Sequence, residues 1–383
     1  MSLSVGARAL IRKSLITMGL LLSLVTSHSA LANKVTEFDS EGVSLEVEMV
    51  ASGFRIPWAL AFLNDYQMLI TERPGSLKML DLRQSRVSTI TGLPKIWSQG
   101  QGGLLDVAVK EPYQDGDWIY FTYSKPLKRG AATTLARAKL SENQLMNWQD
   151  LLVTQSAGSS SRHFGSRIAF VDDSIFFTVG DRGDRPNGQR LDTHAAKVLR
   201  VDMLGKAKAD NPFVNDKKAL PEIWSYGHRN PQGIVYDAKT KRLWTIEHGP
   251  RGGDEINLTK PGLNYGWPVV SHGKEYWGPM SVGEATEKPG MENPKKVYIP
   301  SIAPSSLLLY TGTKIPIWQG DLFAGALVLT HLNRVSLDDQ GNVIKEERLL
   351  ENLDERVRDV IQGPDEYIYL ATDSGYIYRI RPK

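Results

Sequence analysis

The chain has 383 residues, no cysteine, and 46 basic against 43 acidic residues, which gives a formal net charge of +3 at neutral pH. The lack of cysteine excludes disulfides and a C-x-x-C-H haem motif. The near balance of charge, without a long basic run, argues against nucleic-acid or anionic-membrane partners and favours a small molecule.

The first predicted element is a secretory signal peptide over residues 1–32. A short basic stretch precedes the apolar residues 14–26, which are too few to cross a bilayer, and small residues up to Ala32 suit cleavage there. Residues 33–383 carry 43 basic and 43 acidic residues, so the net charge belongs to the signal. We therefore expect one domain over 33–383, exported to the periplasm or secreted, with no membrane span after cleavage. An uncleaved anchor is the alternative.

A short apolar strand, a turn and a second strand rich in aromatic and β-branched residues then recur six times. The turns contain Asp, Asn, Gly and Pro, as hairpin turns do, and no amphipathic helix of twelve or more residues interrupts them. Such repeats predict an all-β fold, a six-bladed β-propeller with four-stranded antiparallel blades, over an irregular sandwich. The six first strands are WALAF (58–62), GLLDV (103–107), SRIAF (166–170), QGIVY (232–236), SLLLY (306–310) and RDVIQ (358–362).

Polar segments stand directly before most of these first strands. The first strands of a propeller line its central channel, so the segments before them are expected to meet at one end of that channel. A preceding strand, VSLEVEMV (43–50), is expected to pair into the last blade and close the ring, which removes the sheet edge. The polar segments before blades two to six are SQGQGG, SSSRHFG, GHRN, PSIAPS and DERV.

Two of these segments carry side chains suited to chemistry. His163 precedes the third first strand, and a neutral imidazole at a pocket mouth could act as a general base. Asp181, in GDRGD, could orient His163 or cap a turn. Arg229 and Asn230 occupy the matching place one blade later, where a guanidinium offers donors suited to carboxylates. A packed histidine and a polar turn ended by Pro231 are the structural alternatives.

Two further arginines, Arg356 and Arg358, stand at the entry to blade six, just before and at the start of its first strand. Alternate residues of a strand point to the same side, so both could face the channel, although exposed paired arginines are equally common. With Arg229 they would aim three cations at one pocket, which is costly unless an anion offsets them. The pattern indicates a polycarboxylate or phosphate ligand. His228 has no assigned chemistry.

The glycine-rich loop EHGPRGGDEINL (247–258) is a candidate cation site. Gly249 and Pro250 could expose backbone carbonyls beside the charges of Asp254 and Glu255, and calcium prefers such oxygen ligands. The spacing is not that of an EF-hand, and a glycine-rich turn is the alternative. Phosphate-binding P-loop, dinucleotide-binding, H-E-x-x-H and G-x-S-x-G motifs are missing from the sequence.

Ten motifs, spread over nearly all of residues 33–383, follow one another in a characteristic order. They are GQGGLLDVAV, HFGSRIAF, GDRGD, KVLRVD, DNPF, YGHRNPQG, EHGPRGGDEINL, NYGWP, APSS and ERVRDV. Together they resemble one known family, the soluble quinoprotein glucose/sorbosone dehydrogenases, and within it the periplasmic aldose sugar dehydrogenases. The resemblance implies a six-bladed propeller, which agrees with the repeat count, and an oxidoreductase acting on CH–OH groups. Its cofactor would be pyrroloquinoline quinone (PQQ), a planar tricarboxylate held with calcium.

The resemblance also implies individual roles. His163, oriented by Asp181, would take the proton of the C1 hydroxyl of an aldose while the hydride passes to the quinone and a lactone forms. Arg229 would stabilise negative charge at the quinone C5 oxygen. Electrons would leave to an external acceptor. Further cofactor contacts would be Gln101, Asn230, Arg356 and Arg358. The backbone carbonyls of Gly249 and Pro250 would hold the catalytic calcium. Glu255 and Tyr265 would hold a second, structural calcium.

One departure from the family pattern lies in blade five. Family members commonly have a lysine there, in a G-[AS]-L-K context, that pairs with the cofactor, whereas this chain has Val328. Neither His331 nor Arg334 can be placed in the pocket from the sequence. Val328 keeps open a non-catalytic sugar- or ligand-binding propeller without tight PQQ binding, and a calcium-dependent lactonase is a third possibility. A monomer and a homodimer fit equally well.

Overall fold

A computed structural model describes residues 33–383, so the predicted signal peptide, residues 1–32, lies outside the described residues. Within that range the chain forms 25 strands and three short 3-10 helices, Arg185–Gln189, Pro316–Trp318 and Glu351–Leu353. The strands form six antiparallel sheets, which confirms the predicted all-β, six-bladed propeller. None of the helices in this part of the chain has the length and apolar character needed to cross a bilayer. The strands are β1 (Asn33–Ser40), β2 (Val43–Ala51), β3 (Pro57–Phe62), β4 (Gln67–Glu72), β5 (Ser76–Asp81), β6 (Arg86–Ile90), β7 (Leu104–Val109), β8 (Trp118–Pro126), β9 (Ala131–Ser141), β10 (Gln144–Val153), β11 (Ile168–Val171), β12 (Ser174–Val179), β13 (Lys197–Asp202), β14 (Ile223–Tyr226), β15 (Pro231–Asp237), β16 (Arg242–Glu247), β17 (Asp254–Thr259), β18 (Lys296–Tyr298), β19 (Leu308–Leu309), β20 (Leu322–Gly325), β21 (Leu332–Leu337), β22 (Val343–Leu349), β23 (Val357–Gln362), β24 (Ile368–Thr372) and β25 (Ile377–Pro382).

The six repeated first strands are the innermost strands of the blades. They are β3, β7, β11, β15, β19 and β23, and each contacts the innermost strand on either side, so they form a closed ring around the channel. Turn chemistry sets the hairpins: Asp81 Oδ1, for example, accepts hydrogen bonds from the backbone N–H groups of Arg83 (2.9 Å) and Gln84 (3.0 Å). Such Asx turns satisfy the backbone where a strand reverses.

The N-terminal strand closes the ring as the sequence predicts. β2 pairs antiparallel with β25, from Leu45 opposite Pro382 to Ala51 opposite Ile377. The last blade differs from the predicted four strands, because β1 folds back on β2 and adds a fifth. β1 has the polar, largely exposed character of an edge strand, so its sequence lacks the apolar pattern of the other strands.

The hydrophobic core lies between neighbouring blades. Tyr120 of blade two packs in one cluster with Phe177 of blade three, and Trp244 of blade four packs with Leu322 of blade five. Each large aromatic side chain contributes about 2–3 kcal/mol by burial, so the blades stack rigidly on one another. This rigidity holds the loops at the ends of the channel in fixed relative positions.

One arginine on the channel axis links all six blades. Arg167 directly precedes β11 of blade three and is 5% exposed. It also lines a cavity of about 1360 Å³ at the end of the channel opposite the polar loops. No feature of the sequence pattern predicts this role. Its guanidinium bonds to the carbonyls of Trp58 (3.3 Å), Gln232 (3.0 Å), Ser305 (2.7 Å) and Arg358 (3.1 Å), and to the carboxylates of Asp106 (3.2 Å) and Asp359 (2.9 Å).

Candidate active site

Strand pairing determines which loops share the end of the channel. Pro231 at the start of β15 pairs with Glu247 at the end of β16, and Val357 at the start of β23 pairs with Thr372 at the end of β24. In these blades, therefore, the residues before the innermost strand lie beside the residues that follow the second strand. This edge carries the polar segments predicted to form a pocket.

His163 and Asp181 form a close pair at this edge. His163 Nδ1 lies 2.7 Å from Asp181 Oδ1, and Asp181 also accepts hydrogen bonds from Gly183 N (2.6 Å) and Trp267 Nε1 (2.9 Å). The carboxylate therefore receives the proton of Nδ1, which leaves Nε2 as a free acceptor. Gln101 Oε1 accepts the His163 backbone N–H at 2.6 Å, so the structure brings together three of the predicted residues.

Glycine allows the close approach of these two loops. A side chain at Gly180 would place its Cβ 2.3 Å from the carbonyl oxygen of His163. His163 itself has φ +58°, in the left-handed region where histidine and asparagine are among the better tolerated residues. The Asp181 loop can therefore pack directly against the His163 loop.

The pocket keeps His163 neutral and Asp181 ionised. Burial lowers the pKa of His163 and the charges of Arg229 and Arg162 lower it further, although the Asp181 carboxylate opposes them. Burial, the largest single influence, would raise the pKa of Asp181, but the interaction with His163, the Gly183 N–H and the charge of Arg229 together outweigh burial, so the pKa is lowered. A neutral imidazole with a free Nε2 and an orienting carboxylate can accept a proton from a bound hydroxyl.

Arg229 and Asn230 stand on the neighbouring segment of blade four. Arg229 Nη1 donates to the Gly249 carbonyl at 2.7 Å, and its backbone N–H donates to Glu247 Oε2 at 2.5 Å. Its Nε is buried and has no hydrogen-bond partner among residues 33–383. Asn230 Oδ1 accepts the backbone N–H of Gly165 at 3.2 Å and so ties blade four to the His163 loop. This Nε–H is therefore a donor without an acceptor in the described part of the chain.

Arg356 and Arg358 share a single carboxylate. Nε of Arg358 donates to Asp373 Oδ1 at 2.8 Å, and Nε of Arg356 donates to Asp373 Oδ2 at 2.9 Å. Arg358 is buried, whereas half of the Arg356 side chain is exposed. With Arg229, this end of the channel holds three guanidinium groups, two of which share one carboxylate, and such a set suits an anionic ligand.

His248 belongs to the same pocket, although the sequence interpretation considered only the carbonyls of its loop. Burial, then the charge of Arg229, lowers the pKa of His248 to about 3, and His163 and Arg358 contribute to the same shift. Its Nε2 donates to the Pro304 carbonyl at 2.6 Å. The feature that identifies His248 as a pocket residue is its position directly after β16, beside the start of β15.

The predicted carbonyl site for calcium lies beside Arg229. The Gly249 carbonyl accepts the hydrogen bond of Arg229, and the Gly249 N–H donates to Asp254 Oδ1 at 2.9 Å, which holds the loop with its carbonyls near the pocket. Pro250 follows directly and is buried. Across residues 33–383 no group of three or more His, Cys, Asp or Glu side chains is arranged to hold a metal ion, but a site built on carbonyls is of a different kind.

The second predicted cation site has oxygen-rich surroundings. Glu247 and Glu255 lie opposite each other on β16 and β17, and burial, followed by the Glu247 charge, raises the pKa of Glu255 well above its usual range. Asn257 Oδ1 is buried there without a partner in the described chain. The Tyr265 hydroxyl is already engaged, donating to the Leu258 carbonyl at 2.7 Å, so its backbone carbonyl is the atom left for a ligand.

His228 proves to be a buried link between loops. It is fully buried, with Nδ1 2.9 Å from Glu247 Oε1 and Nε2 2.8 Å from Ser225 Oγ, and its ring stacks on Tyr265 at 4.7 Å between centroids. Both ring nitrogens are therefore used inside the protein. This arrangement supports Glu247, which in turn holds the backbone of Arg229.

Neither neighbour of Val328 supplies the cation that the family pattern places there. Val328 is 47% exposed, with its backbone N–H bonded to the Ile302 carbonyl. Arg334 lies in an ion-pair network with Asp321 (2.6 Å) on the outer part of blade five, and His331 Nδ1 lies 2.9 Å from the Leu329 carbonyl. Both side chains are turned away from the channel end.

The sequence profile of the glucose/sorbosone dehydrogenase family matches residues 54–379. A relative from Escherichia coli, aldose sugar dehydrogenase YliI, is 36% identical over 350 residues, covering 89% of this chain and 94% of its own length. Quinoprotein glucose dehydrogenase B from Acinetobacter calcoaceticus is 27% identical and covers 86% of each chain. The crystal structure of soluble aldose sugar dehydrogenase from Escherichia coli in the apo-form superposes with a TM-score of 0.85 at 35% identity, over 88% of this chain and 100% of that one.

Matches of this extent, added to the geometry of the channel end, define the class: the protein is a dehydrogenase built on a six-bladed propeller. More narrowly, the chain belongs to the glucose/sorbosone dehydrogenase family. The resemblance drawn from the ordered motifs is thereby confirmed.

Proposed function

We propose that the protein is a PQQ- and calcium-dependent aldose sugar dehydrogenase that oxidises the sugar at C1 to a lactone and passes the electrons to an external acceptor. The observation that carries the proposal is the His163–Asp181 pair, with its free Nε2, at a channel end rich in arginine. The relatives named aldose sugar dehydrogenase and quinoprotein glucose dehydrogenase support the substrate and the cofactor class. Export to the periplasm or secretion follows from the sequence of residues 1–32.

The chain's own residues would handle the proton. Nε2 of His163 accepts the proton of the C1 hydroxyl, and Asp181 stabilises the imidazolium that results and keeps the ring in its tautomer. Trp267 and Gly183 hold the Asp181 carboxylate through their N–H groups, so the pair cannot rotate freely. PQQ, when bound, supplies the acceptor for the hydride of C1.

The donor set of the site fits a tricarboxylate cofactor. The unpartnered Nε of Arg229, the Arg356–Arg358 pair with one shared aspartate, Asn230 and Gln101 offer donors in excess of the protein's own acceptors. Charge-assisted bonds from guanidinium groups to carboxylates are among the strong hydrogen bonds.

The calcium ions of the proposal would have separate ligands. The carbonyls of Gly249 and Pro250 would hold the catalytic calcium, provided that Arg229 gives up or shares its bond to Gly249. Glu255 and the Tyr265 carbonyl would hold the structural calcium, where a cation would offset the facing carboxylates of Glu247 and Glu255.

Reconstitution tests the proposal directly. Purified apo-protein is expected to gain dye-linked oxidation of aldoses only when PQQ and calcium are both added, and to lose it when a chelator removes calcium. The assay uses a panel of sugars, a dye acceptor and lactone detection. Failure of the folded protein to bind PQQ tightly would favour the non-catalytic propeller that Val328 suggests, and lactone hydrolysis without PQQ would favour the lactonase.

The pH profile gives a second expected result. Because His163 must be unprotonated to act as a base and its pKa is lowered, kcat/KM should be level at neutral pH and fall only below about 6.5. The groups facing His163 are Asp181, Arg229, Arg162 and His248. Steady-state rates from pH 4.5 to 9 at saturating PQQ and calcium measure this acidic fall of kcat/KM. If kcat/KM were already halved above about pH 7, His163 would not be a neutral base in this pocket.

A further inference from the structure

A further arginine, Arg73, stands at the same end of the channel. Glu72, the last residue of β4, pairs with Pro57 at the start of β3, just as Glu247 pairs with Pro231 in blade four. Arg73 therefore occupies in blade one the position that His248 occupies in blade four and Asp373 in blade six. Both of those equivalent residues face the candidate site, so the propeller's own repetition places Arg73 there.

The backbone of Arg73 is fixed between two blades. Its N–H donates to the Ile56 carbonyl at 3.1 Å, and its carbonyl accepts the N–H of Leu104, the first residue of β7, at 3.2 Å. The side chain then passes over Gly103, where an added Cβ would lie 2.7 Å from Arg73 Cγ. Gly103 belongs to the SQGQGG segment that also carries Gln101. Because residue 103 is a glycine, the Arg73 side chain has room to lie along the edge of the pocket.

The guanidinium of Arg73 has charged neighbours but no ion-pair partner. No carboxylate of residues 33–383 lies within 4 Å of it, and it forms no hydrogen bond with another described side chain. Burial, then the charge of Arg358, lowers the pKa of Arg73, while Asp373 opposes this and Arg356 adds to it. Three arginines thus surround one aspartate, and the aspartate is already bonded to two of them.

We infer that Arg73 is a further anion-binding residue of the site and contacts a carboxylate of the bound cofactor. The inference rests on the proposed function for the identity of the anion. A half-buried guanidinium without a carboxylate gains most from a ligand that brings one, because its fork matches the two oxygens. Arg73 also offers a cation to a site in which Val328 replaces the family's lysine. It is a binding residue only, with no part in the proton transfer.

Titration of apo-protein with PQQ at fixed calcium, followed by protein fluorescence and quinone absorption, tests the inference without turnover. Arg73→Met is expected to raise Kd about 10- to 100-fold, since it removes one charge-assisted hydrogen bond. Arg73→Lys should lie between Arg73→Met and the unchanged protein, because lysine keeps the charge but loses the planar fork. Arg83→Met is the matched control, an arginine of the same blade that stacks on Tyr66 at 3.3 Å outside the site, and its Kd should stay within about twofold.

A second titration separates this inference from the proposed function. Citrate, a tricarboxylate unrelated to quinone chemistry, should raise the thermal midpoint of the unchanged protein more than that of Arg73→Met. If the unchanged protein fails to bind PQQ, the cofactor proposal fails, and the citrate response alone decides whether Arg73 binds carboxylates. Equal PQQ affinity in Arg73→Met and the unchanged protein, or an equal citrate response where PQQ does not bind, would overturn the inference.

Discussion

Replacing His163 by asparagine is expected to lower kcat of the reconstituted enzyme by about 10²- to 10⁴-fold, the usual contribution of a positioned general base. Asparagine tolerates the left-handed backbone at this position and leaves the loop in place, but it offers no basic nitrogen. Asp181 and its donors remain, so the fold of the pocket should survive. Steady-state turnover with a dye acceptor measures the loss, and PQQ titration shows whether the cofactor still binds within a few fold.

The chain contains a matched control for this substitution. His194 is also buried and also pairs with a carboxylate, its Nε2 lying 3.0 Å from Glu222 Oε2, but it accepts a backbone N–H from Gln155 through Nδ1 and so has no free nitrogen. His194→Asn should leave kcat within about threefold. If His163→Asn kept a kcat as high as that of His194→Asn, His163 would not be the general base. If His163→Asn bound PQQ poorly but turned over normally once PQQ was bound, His163 would instead be a cofactor ligand.

The strands were predictable because each carries its own signal. Six apolar hairpins with Asp- and Gly-rich turns identify the innermost and second strands without any knowledge of distant contacts. β1 was missed because a polar edge strand lacks that signal, and its pairing with β2 depends on the last blade already being complete.

The site was only partly predictable, for a physical reason. Residues before or at the start of an innermost strand, such as His163, Arg229 and Arg358, can be placed at the channel end from the sequence. Arg73 and His248 follow second strands, and only the pairing register shows that these positions lie at the same edge. Likewise Val328 marks the missing lysine, but the sequence could not show that Arg334 points into an outer ion-pair network.

The contacts of Arg167 lie further beyond sequence patterns. Its partners are between 61 and 192 residues away along the chain, and its two carboxylate partners, Asp106 and Asp359, come from blades two and six. In the sequence, nothing distinguishes an arginine before a strand from any other polar residue at that position. Closure of the ring brings these groups together on the axis, so the role of Arg167 emerges only from the complete fold.

Replacing Arg167 by methionine is expected to destabilise the protein by about 3–5 kcal/mol, the typical cost of removing one partner of a buried ion pair. The change leaves the carboxylates of Asp106 and Asp359 buried without their cation and leaves four backbone carbonyls short of a donor. Burial, only partly offset by Arg167, already raises the pKa of Asp106 to about 6 and raises that of Asp359. Urea unfolding followed by fluorescence and circular dichroism measures the loss.

The pH dependence of this loss follows from the same carboxyl groups. Without Arg167 the pKa values of Asp106 and Asp359 in the folded protein rise further. Between the unfolded and the folded pKa values, the folded variant therefore binds more protons than its unfolded chain does, and acidification stabilises it. The deficit relative to the unchanged protein should therefore be largest above the raised pKa values of the variant and shrink as pH falls through them towards about 6, the pKa of Asp106 in the unchanged protein. Unfolding midpoints at pH 5 and pH 7.5 show the sign, and a deficit that grows on acidification would contradict the buried carboxylates as its source.

Two further variants separate the axial ion pairs from a general effect of losing a buried arginine. Arg200→Met removes another mostly buried guanidinium, but its ion-pair partner Asp210 is largely exposed and stays hydrated, so its cost should be clearly smaller. Adding Asp106→Asn and Asp359→Asn to Arg167→Met removes the unpaired charges and should recover much of the stability, because a neutral replacement of a whole buried ion cluster is often tolerated. A triple variant no more stable than Arg167→Met would show that the six-blade contact depends on the carbonyl hydrogen bonds of Arg167 rather than on its ion pairs.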